Sequence, residues 1–167
     1  MAMHMDTQGL NLFIVDDNKL VVADLNNYLH DKFGISLKIT TFNNGEDCLQ
    51  QLDAETHIVI LDYFLNGENG LEILKKIKEK SPKTEVIMLS SNENIALAIQ
   101  LFRSGAKDYV IKGRSGLKKI TKIVYKIITD PINRIVKEFR VLKYMKVFLL
   151  IFVVMGLIVF FVLRAIK

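Results

Sequence analysis

Ile58-Val59-Ile60-Leu61-Asp62 is the stretch on which the rest of the chain turns. Four apolar residues run without interruption into an aspartate. A short unbroken apolar run reads as a strand buried on both faces, the kind that lies in a parallel sheet under helices. Such a sheet presents its chemistry at the carboxyl ends of its strands. Asp62 stands at that end, and the polar loop Asn66-Gly67-Glu68-Asn69-Gly70 comes after it. The placement predicts that Asp62 is a nucleophile for a phosphoryl group.

Outward from this strand the pattern repeats. Leu10 to Val15 reads as a first strand that ends in Asp16-Asp17. Asn18 can cap a helix whose apolar stripe is Val21, Leu25, Tyr28, Leu29 and Phe33, with Gly34 as its stop. Ser36 to Phe42 reads as a strand, and Asn44-Gly45 opens a short helix carrying Cys48 and Leu52. His57, at the entry to the central strand, has no ligand partner near it in sequence and reads as structural. Leu71 to Lys80 is a helix ended by Pro82, and Glu85 to Leu89 is a strand that runs into Ser90. Glu93 to Ser104 is a helix with Gly105 after it. Its spacing assigns Ile95, Ala98, Ile99 and Phe102 to the core. Leu97 and Leu101 fall on the far side, where with Tyr109 they form a candidate partner surface. Lys107 to Ile111 is the last strand, with Lys112-Gly113 after it, and Leu117 to Ile128 is a fifth helix.

Strands alternate with helices five times, which predicts an α/β fold. The expected form is doubly wound, a five-stranded parallel sheet of flavodoxin-like order 2-1-3-4-5. The first and third strands are then neighbours, and Asp16, Asp17 and Asp62 converge on one crevice. Three carboxylates there call for a divalent cation, and hard oxygen ligands with room for water suit Mg2+. The metal would also offset the repulsion between a carboxylate and an incoming phosphoryl group. Ser90 and Lys112 could bind the remaining phosphoryl oxygens.

These residues carry a resemblance. Asp16-Asp17, Asp62 with Gly70 eight positions on, Ser90, Tyr109 and Lys112 resemble, in order, the site of the receiver domain of bacterial response regulators, over roughly residues 10–128. The resemblance implies that Asp62 is phosphorylated by a histidine kinase or a phosphotransfer protein in two-component signalling. It implies Mg2+ held by Asp17, Asp62 and the backbone carbonyl of Phe64, with Asp16 acting through water. It implies Ser90 and Tyr109 as a switch pair. The chain departs from the family pattern in two places. Leu65-Asn66 stands where Met-Pro is usual, and Gly113 stands where a cis proline usually comes after the lysine, which predicts a trans turn. Phe64 and Asn92 fall where the family tunes the lifetime of its phosphate, and Phe64 cannot orient an attacking water.

Two other functions compete with this reading. A phosphatase working through an aspartyl-phosphate needs a second Asp two residues after the nucleophile, and Phe64 occupies that place. The alternative of a phosphorylation-independent, receiver-like membrane adaptor leaves the acidic pair and Lys112 without a purpose. The chain therefore reads as a phosphoacceptor and not an enzyme in the ordinary sense.

The formal charge of +5 is unevenly spread. Residues 1–113 hold 16 acidic and 11 basic residues, and residues 114–167 hold 2 acidic and 12 basic. A basic tail of this kind suggests a membrane surface before nucleic acid, and no nucleic-acid partner is expected. The one cysteine, Cys48, excludes an intrachain disulfide. The expected domain boundaries place a disordered or tag-like segment at 1–9 and the receiver domain at 10–129. A basic amphipathic juxtamembrane helix opened by Asp130-Pro131 is expected at 130–146, a transmembrane helix at 147–163 and a short tail at 164–167. The 132–142 stripe could also serve a homodimer. At about 1.5 Å per residue, 147–163 would reach ~25 Å against a hydrocarbon core of ~30 Å. The expected location is the cytoplasmic membrane, single-pass, with the receiver domain in the cytoplasm and the C-terminus outside.

Overall fold

A computed structural model gives the fold. It describes the backbone of residues 9–165 and the side chains of 9–130, 147–156 and 164. The chain divides into two compact units, Met1–Tyr125 and Lys126–Lys167.

The first unit is built on a five-stranded parallel sheet. Its strands are β1 (Leu10–Val15), β2 (Leu37–Phe42), β3 (Thr56–Asp62), β6 (Glu85–Ser90) and β7 (Asp108–Ile111), in the order β2-β1-β3-β6-β7. Counting only these five, the order is the expected 2-1-3-4-5. Between β3 and β6 lies a small hairpin that the sequence reading does not anticipate, β4 (Phe64–Leu65) and β5 (Glu68–Asn69). The helices are α1 (Lys19–Phe33), α2 (Gly45–Gln51), α3 (Gly70–Lys80), α4 (Ile95–Arg103) and α5 (Arg114–Ala165).

The central strand is buried as its composition requires. Ile58 to Leu61 are all inaccessible to solvent, and alternate residues face opposite layers. Val59 and Leu61 join Phe13, Val15, Val86 and Met88 in a core shared with Leu52, Leu71, Leu74 and Ile77. Ile58 and Ile60 point the other way, the side on which Leu25, Leu29, Ile120 and Val124 are buried. Helix starts obey local chemistry. The side chain of Asn18 accepts the amides of Leu20 and Val21, and Asn94 accepts those of Ala96 and Leu97. Asn44 and Asn69 cap α2 and α3 in the same way. The Nδ1 of His57 accepts the amide of Asn11 at 3.2 Å, a structural role.

Three expectations are corrected. First, α4 is turned over. Leu101 is fully buried and Leu97 packs against the core, while Ile95, Ile99 and Phe102 are exposed, Ile95 by 76 %. Nearly every side chain from Ile95 to Phe102 is apolar, so helical spacing alone does not choose a face. Leu97 and Leu101 are therefore no partner surface. Second, no helix boundary falls at Asp130-Pro131. The α5 backbone stays helical from Arg114 to Ala165. Proline inside a helix removes one hydrogen bond, and a helix can continue through it.

Third, among the described residues no helix is long and apolar enough to cross a membrane. The run with described side chains, Val147 to Gly156, is exposed and apolar. The absence of such a helix among the described residues overturns the expected single-pass location in the cytoplasmic membrane, and the orientation inferred from it falls too. The remaining part of that segment, 157–163, lies outside the described side chains. So do the basic amphipathic stretch and its homodimer seam at 132–142, and residues 1–8 of the expected tag-like N-terminus.

Candidate functional site

The sheet order sets the site. β1 and β3 are neighbours in register Val15↔Leu61, so the residues just beyond them leave the sheet side by side. Asp16, Asp17 and Asp62 each place a carboxylate oxygen within 4.8 Å of the others. Asp16 and Asp62 are buried, and Asp17 is half-buried. β7 ends beside β6, where the Lys112 amide donates to the Ser90 carbonyl at 2.9 Å. That bond fixes the root of the Lys112 side chain. Its ammonium lies 2.7 Å from Asp16 Oδ2 and 2.7 Å from Asp62 Oδ2.

This packing sets the electrostatics. Burial pushes the Asp62 carboxyl above the ordinary carboxylate range. The hydrogen bond from Lys112 opposes that shift, and the nearby charge of Asp16 adds to it. Burial by itself would lower the pKa of Lys112. The close contacts of its ammonium with the Asp16 and Asp62 carboxylates outweigh burial and hold it above the ordinary lysine range. The contact to Asp62 is an aligned hydrogen bond. The contact to Asp16 Oδ2 is close but not aligned, and that buried oxygen has no hydrogen-bond partner. Burial raises the thiol of Cys48 to about 12, so it takes no part in the chemistry.

The backbone completes the acidic crevice. The amide of Asn18 donates to Asp16 Oδ1 at 2.9 Å, and that of Asn66 donates to Asp17 Oδ2 at 3.2 Å. Asn66 occupies the turn of the β4–β5 hairpin, where its φ of 32° and the 91° of Gly67 are the left-handed values a two-residue hairpin turn demands. The Asn-Gly step is the sequence signal for this hairpin. It overlaps Leu65-Asn66, the pair that stands where Met-Pro is usual in the family that the site resembles. Phe64, on β4, is 63 % exposed and stacks edge-on against Tyr63. Its backbone also hydrogen-bonds the Asp62 carboxylate. Gly70 starts α3 hard against the end of β3, where a Cβ would lie 2.5 Å from the carbonyl oxygen of Asp62.

Ser90 and Tyr109 meet on one residue to which the sequence assigns a different role. Ser90 Oγ, buried, accepts the amide of Asn92 at 3.0 Å. The hydroxyl of Tyr109, also buried, donates to the Asn92 carbonyl. Asn92 is thus held at both ends of its backbone by the expected switch pair. Lys119, on the lysine face of α5, reaches back to the Tyr109 carbonyl at 2.7 Å and to Asp108 at 2.8 Å. After Lys112, Gly113 takes φ of 127° with a trans peptide, as expected from the missing proline.

A five-stranded flavodoxin-like sheet with three carboxylates and a lysine at its strand ends defines a receiver, the phosphoacceptor half of a two-component signalling pair. The model of the response regulator receiver domain family matches residues 12–125, and the chain belongs to that family. Its relatives include the DNA-binding transcriptional regulator NtrC of Escherichia coli strain K12, 33% identical over 102 residues, 60% of this chain and 21% of that protein. The response regulator UvrY of Escherichia coli O6:H1 is 29% identical over 115 residues, 68% of this chain and 52% of that protein. Among solved structures, the response regulator DrrB of Thermotoga maritima superposes with a TM-score of 0.64 at 29% identity, covering 74% of this chain and 54% of that one. The chain thus spans between a fifth and about half of the length of these relatives.

Proposed function

We propose that Asp62 accepts a phosphoryl group from a histidine kinase or phosphotransfer protein and that Ser90, Asn92 and Tyr109 convert this event into a change of surface. The observation that carries the reading is the Lys112 ammonium lying between the buried carboxylates of Asp16 and Asp62. An oxygen of Asp62 attacks phosphorus, and the bond from phosphorus to the donor imidazole nitrogen breaks. The electron pair stays on that nitrogen, which takes up a proton. Lys112 then tracks the charge from carboxylate to phosphoryl oxygen, as a mobile point charge can. Ser90 Oγ, which accepts the Asn92 amide, would give it up in favour of a phosphoryl oxygen. Asn92 would move with it and release the hydroxyl of Tyr109.

The donor set fits Mg2+: hard carboxylate oxygens, one of them a buried oxygen without a hydrogen-bond partner. Asp17 and Asp62 would hold the ion with the Phe64 carbonyl, and Asp16 would act through water. The ion would supply charge neutralisation as the phosphoryl group arrives.

The surface read out by a partner is proposed to comprise Ile95, Ile99 and Phe102 beside Tyr109, in place of Leu97 and Leu101. These exposed side chains line a groove with Ala98 and Ile111. The receiver is proposed to occupy residues 10–129. The reading has no role for nucleic acid; DNA binding in the description of NtrC belongs to that protein, of which 21% is matched.

The test is intact mass after incubation with acetyl phosphate. The wild-type chain gains one phosphoryl group when Mg2+ is present and none when it is chelated, and Asp62→Asn gains none. Labelling of Asp62→Asn would overturn the site. Failure of wild type to label with either acetyl phosphate or a phosphorylated histidine donor would leave a receiver that acts by binding alone.

A further inference from the structure

The chain contains three Asn-Gly steps, at 44–45, 66–67 and 69–70. Two of them are locked. The Asn44 side chain accepts the amide of Asp47 at 2.8 Å and donates to the Asp47 carboxylate, and the Gly45 amide is bound to Glu68 Oε2 at 2.8 Å. The Asn69 side chain accepts the amide of Leu71 at 3.0 Å, and the Gly70 amide is bound to the Tyr63 carbonyl at 2.9 Å. Gly45 and Gly70 are both buried.

Asn66-Gly67 differs in its glycine and in its hydrogen bonds. Both residues are exposed, and a side chain added at Gly67 would touch nothing within 4 Å. Among the described residues no hydrogen bond holds the Asn66 side chain or the Gly67 amide. The hairpin that carries the step has only two residue pairs, Phe64↔Asn69 and Leu65↔Glu68. A two-stranded hairpin this short opens readily.

We propose that Asn66 is a site of spontaneous covalent modification, the one Asn-Gly step of the three that the folded protein leaves free to deamidate. The Gly67 backbone nitrogen attacks the Asn66 side-chain carbonyl carbon and forms a C–N bond. The bond from that carbon to Nδ2 breaks, and ammonia leaves with the proton that Gly67 gives up. Water then opens the succinimide at either carbonyl, leaving aspartate or isoaspartate. The reaction needs the side-chain carbon and the next amide to meet. Hydrogen bonds that hold either partner at Asn44 and Asn69 forbid that approach.

The position gives the change a consequence, which rests on the proposed role of the acidic crevice. The Asn66 amide holds Asp17. Isoaspartate inserts a methylene into the main chain of a two-residue turn, and the product adds a negative charge beside three existing carboxylates.

The experiment ages the full chain at 37 °C in mildly alkaline buffer, then cleaves it with a glutamate-specific protease. Cuts after Glu46, Glu55, Glu68 and Glu72 place the three asparagines in separate peptides. Isoaspartate is then read by enzymatic methylation and by the mass gained when ammonia is exchanged for water. The expected result is at least about tenfold more product in peptide 56–68 than in either of the others, equivalent to ~1.4 kcal/mol in barrier. In denaturant the three rates should converge. Equal rates in the folded protein, faster reaction at Asn44 or Asn69, or the same bias in denaturant would each overturn the proposal. The isoaspartyl fraction should also take phosphate from acetyl phosphate more slowly than unaged protein. Equal rates would sever the link to the crevice, whereas failure of unaged protein to label would instead remove the phosphoacceptor reading.

Discussion

At the scale of single residues, Lys112 makes the most direct prediction. Its pKa is raised in the folded protein, so the folded state holds the proton more tightly than the unfolded chain. The stability it contributes is complete below the unfolded value near 10.5 and is lost as pH rises through the higher folded value. Denaturant midpoints measured from neutral to strongly alkaline pH should therefore fall above pH 10.5, and the step should shrink in Lys112→Gln. Asp62 has the same sign: its pKa is also raised, so loss of its proton likewise weakens the fold. Its contribution is greatest below the unfolded value of 3.8 and is lost as pH rises through the folded one. Phe64 makes a kinetic prediction. Its exposed ring offers no hydrogen bond to a hydrolytic water, so Phe64→Glu or Phe64→Asn should shorten the life of the phosphorylated state. A factor of about ten, or ~1.4 kcal/mol, is expected in the decay of phosphorylated mass after the donor is removed. An unchanged decay would show that Phe64 is not the brake.

At the scale of elements, α4 shows where sequence reasoning stops. The strand ends are legible because each buried apolar run finishes on a polar residue that a core cannot hold without a partner. That is why Asp16, Asp62, Ser90 and Lys112 stand out. Ile95 to Phe102 gives no such contrast, since only Gln100 is polar, and the choice of face is made by packing against β7 and its neighbours. The hairpin at 64–69 escapes for another reason. Its position after Asp62 makes the loop look like ligand surroundings, although Asn66-Gly67 is a strong hairpin signal. The α4 assignment predicts opposite outcomes for adjacent residues. Leu101→Ala should cost roughly 2–5 kcal/mol, as large-to-small changes in a core do. Phe102→Asp and Ile99→Asp should change stability by within about 0.5 kcal/mol, as surface changes do. Urea titration of the three variants measures this, and a large loss in Ile99→Asp with none in Leu101→Ala would restore the discarded face.

At the scale of the whole molecule, the sequence speaks clearly for the receiver and ambiguously for the C-terminal segment. From Leu10 to Val124 the apolar positions have an interior to fill: every buried hydrophobic residue described lies between Leu12 and Val124. Beyond that, an apolar run such as Val147 to Gly156 stays exposed among the described residues, and hydropathy alone leads to a membrane span that the described helix does not support. The compact first unit, ending at Tyr125, predicts that the switch is self-sufficient. Among the described residues nothing in the crevice comes from beyond Lys112, and α5 contributes Ile120, Val124 and Lys119 before residue 126. A fragment ending at Asp130 should therefore unfold in a single cooperative transition and take one phosphoryl group from acetyl phosphate, with Mg2+, at the rate of the full chain. A fragment ending at Gly113 should not fold, because it exposes the face of the sheet that Ile120 and Val124 cover. The two are compared by denaturant unfolding and by intact mass. A 1–130 fragment that unfolds without cooperativity, or labels several times more slowly than the full chain, would mean that residues after 130 support the receiver, and the boundary would have to move towards the C-terminus.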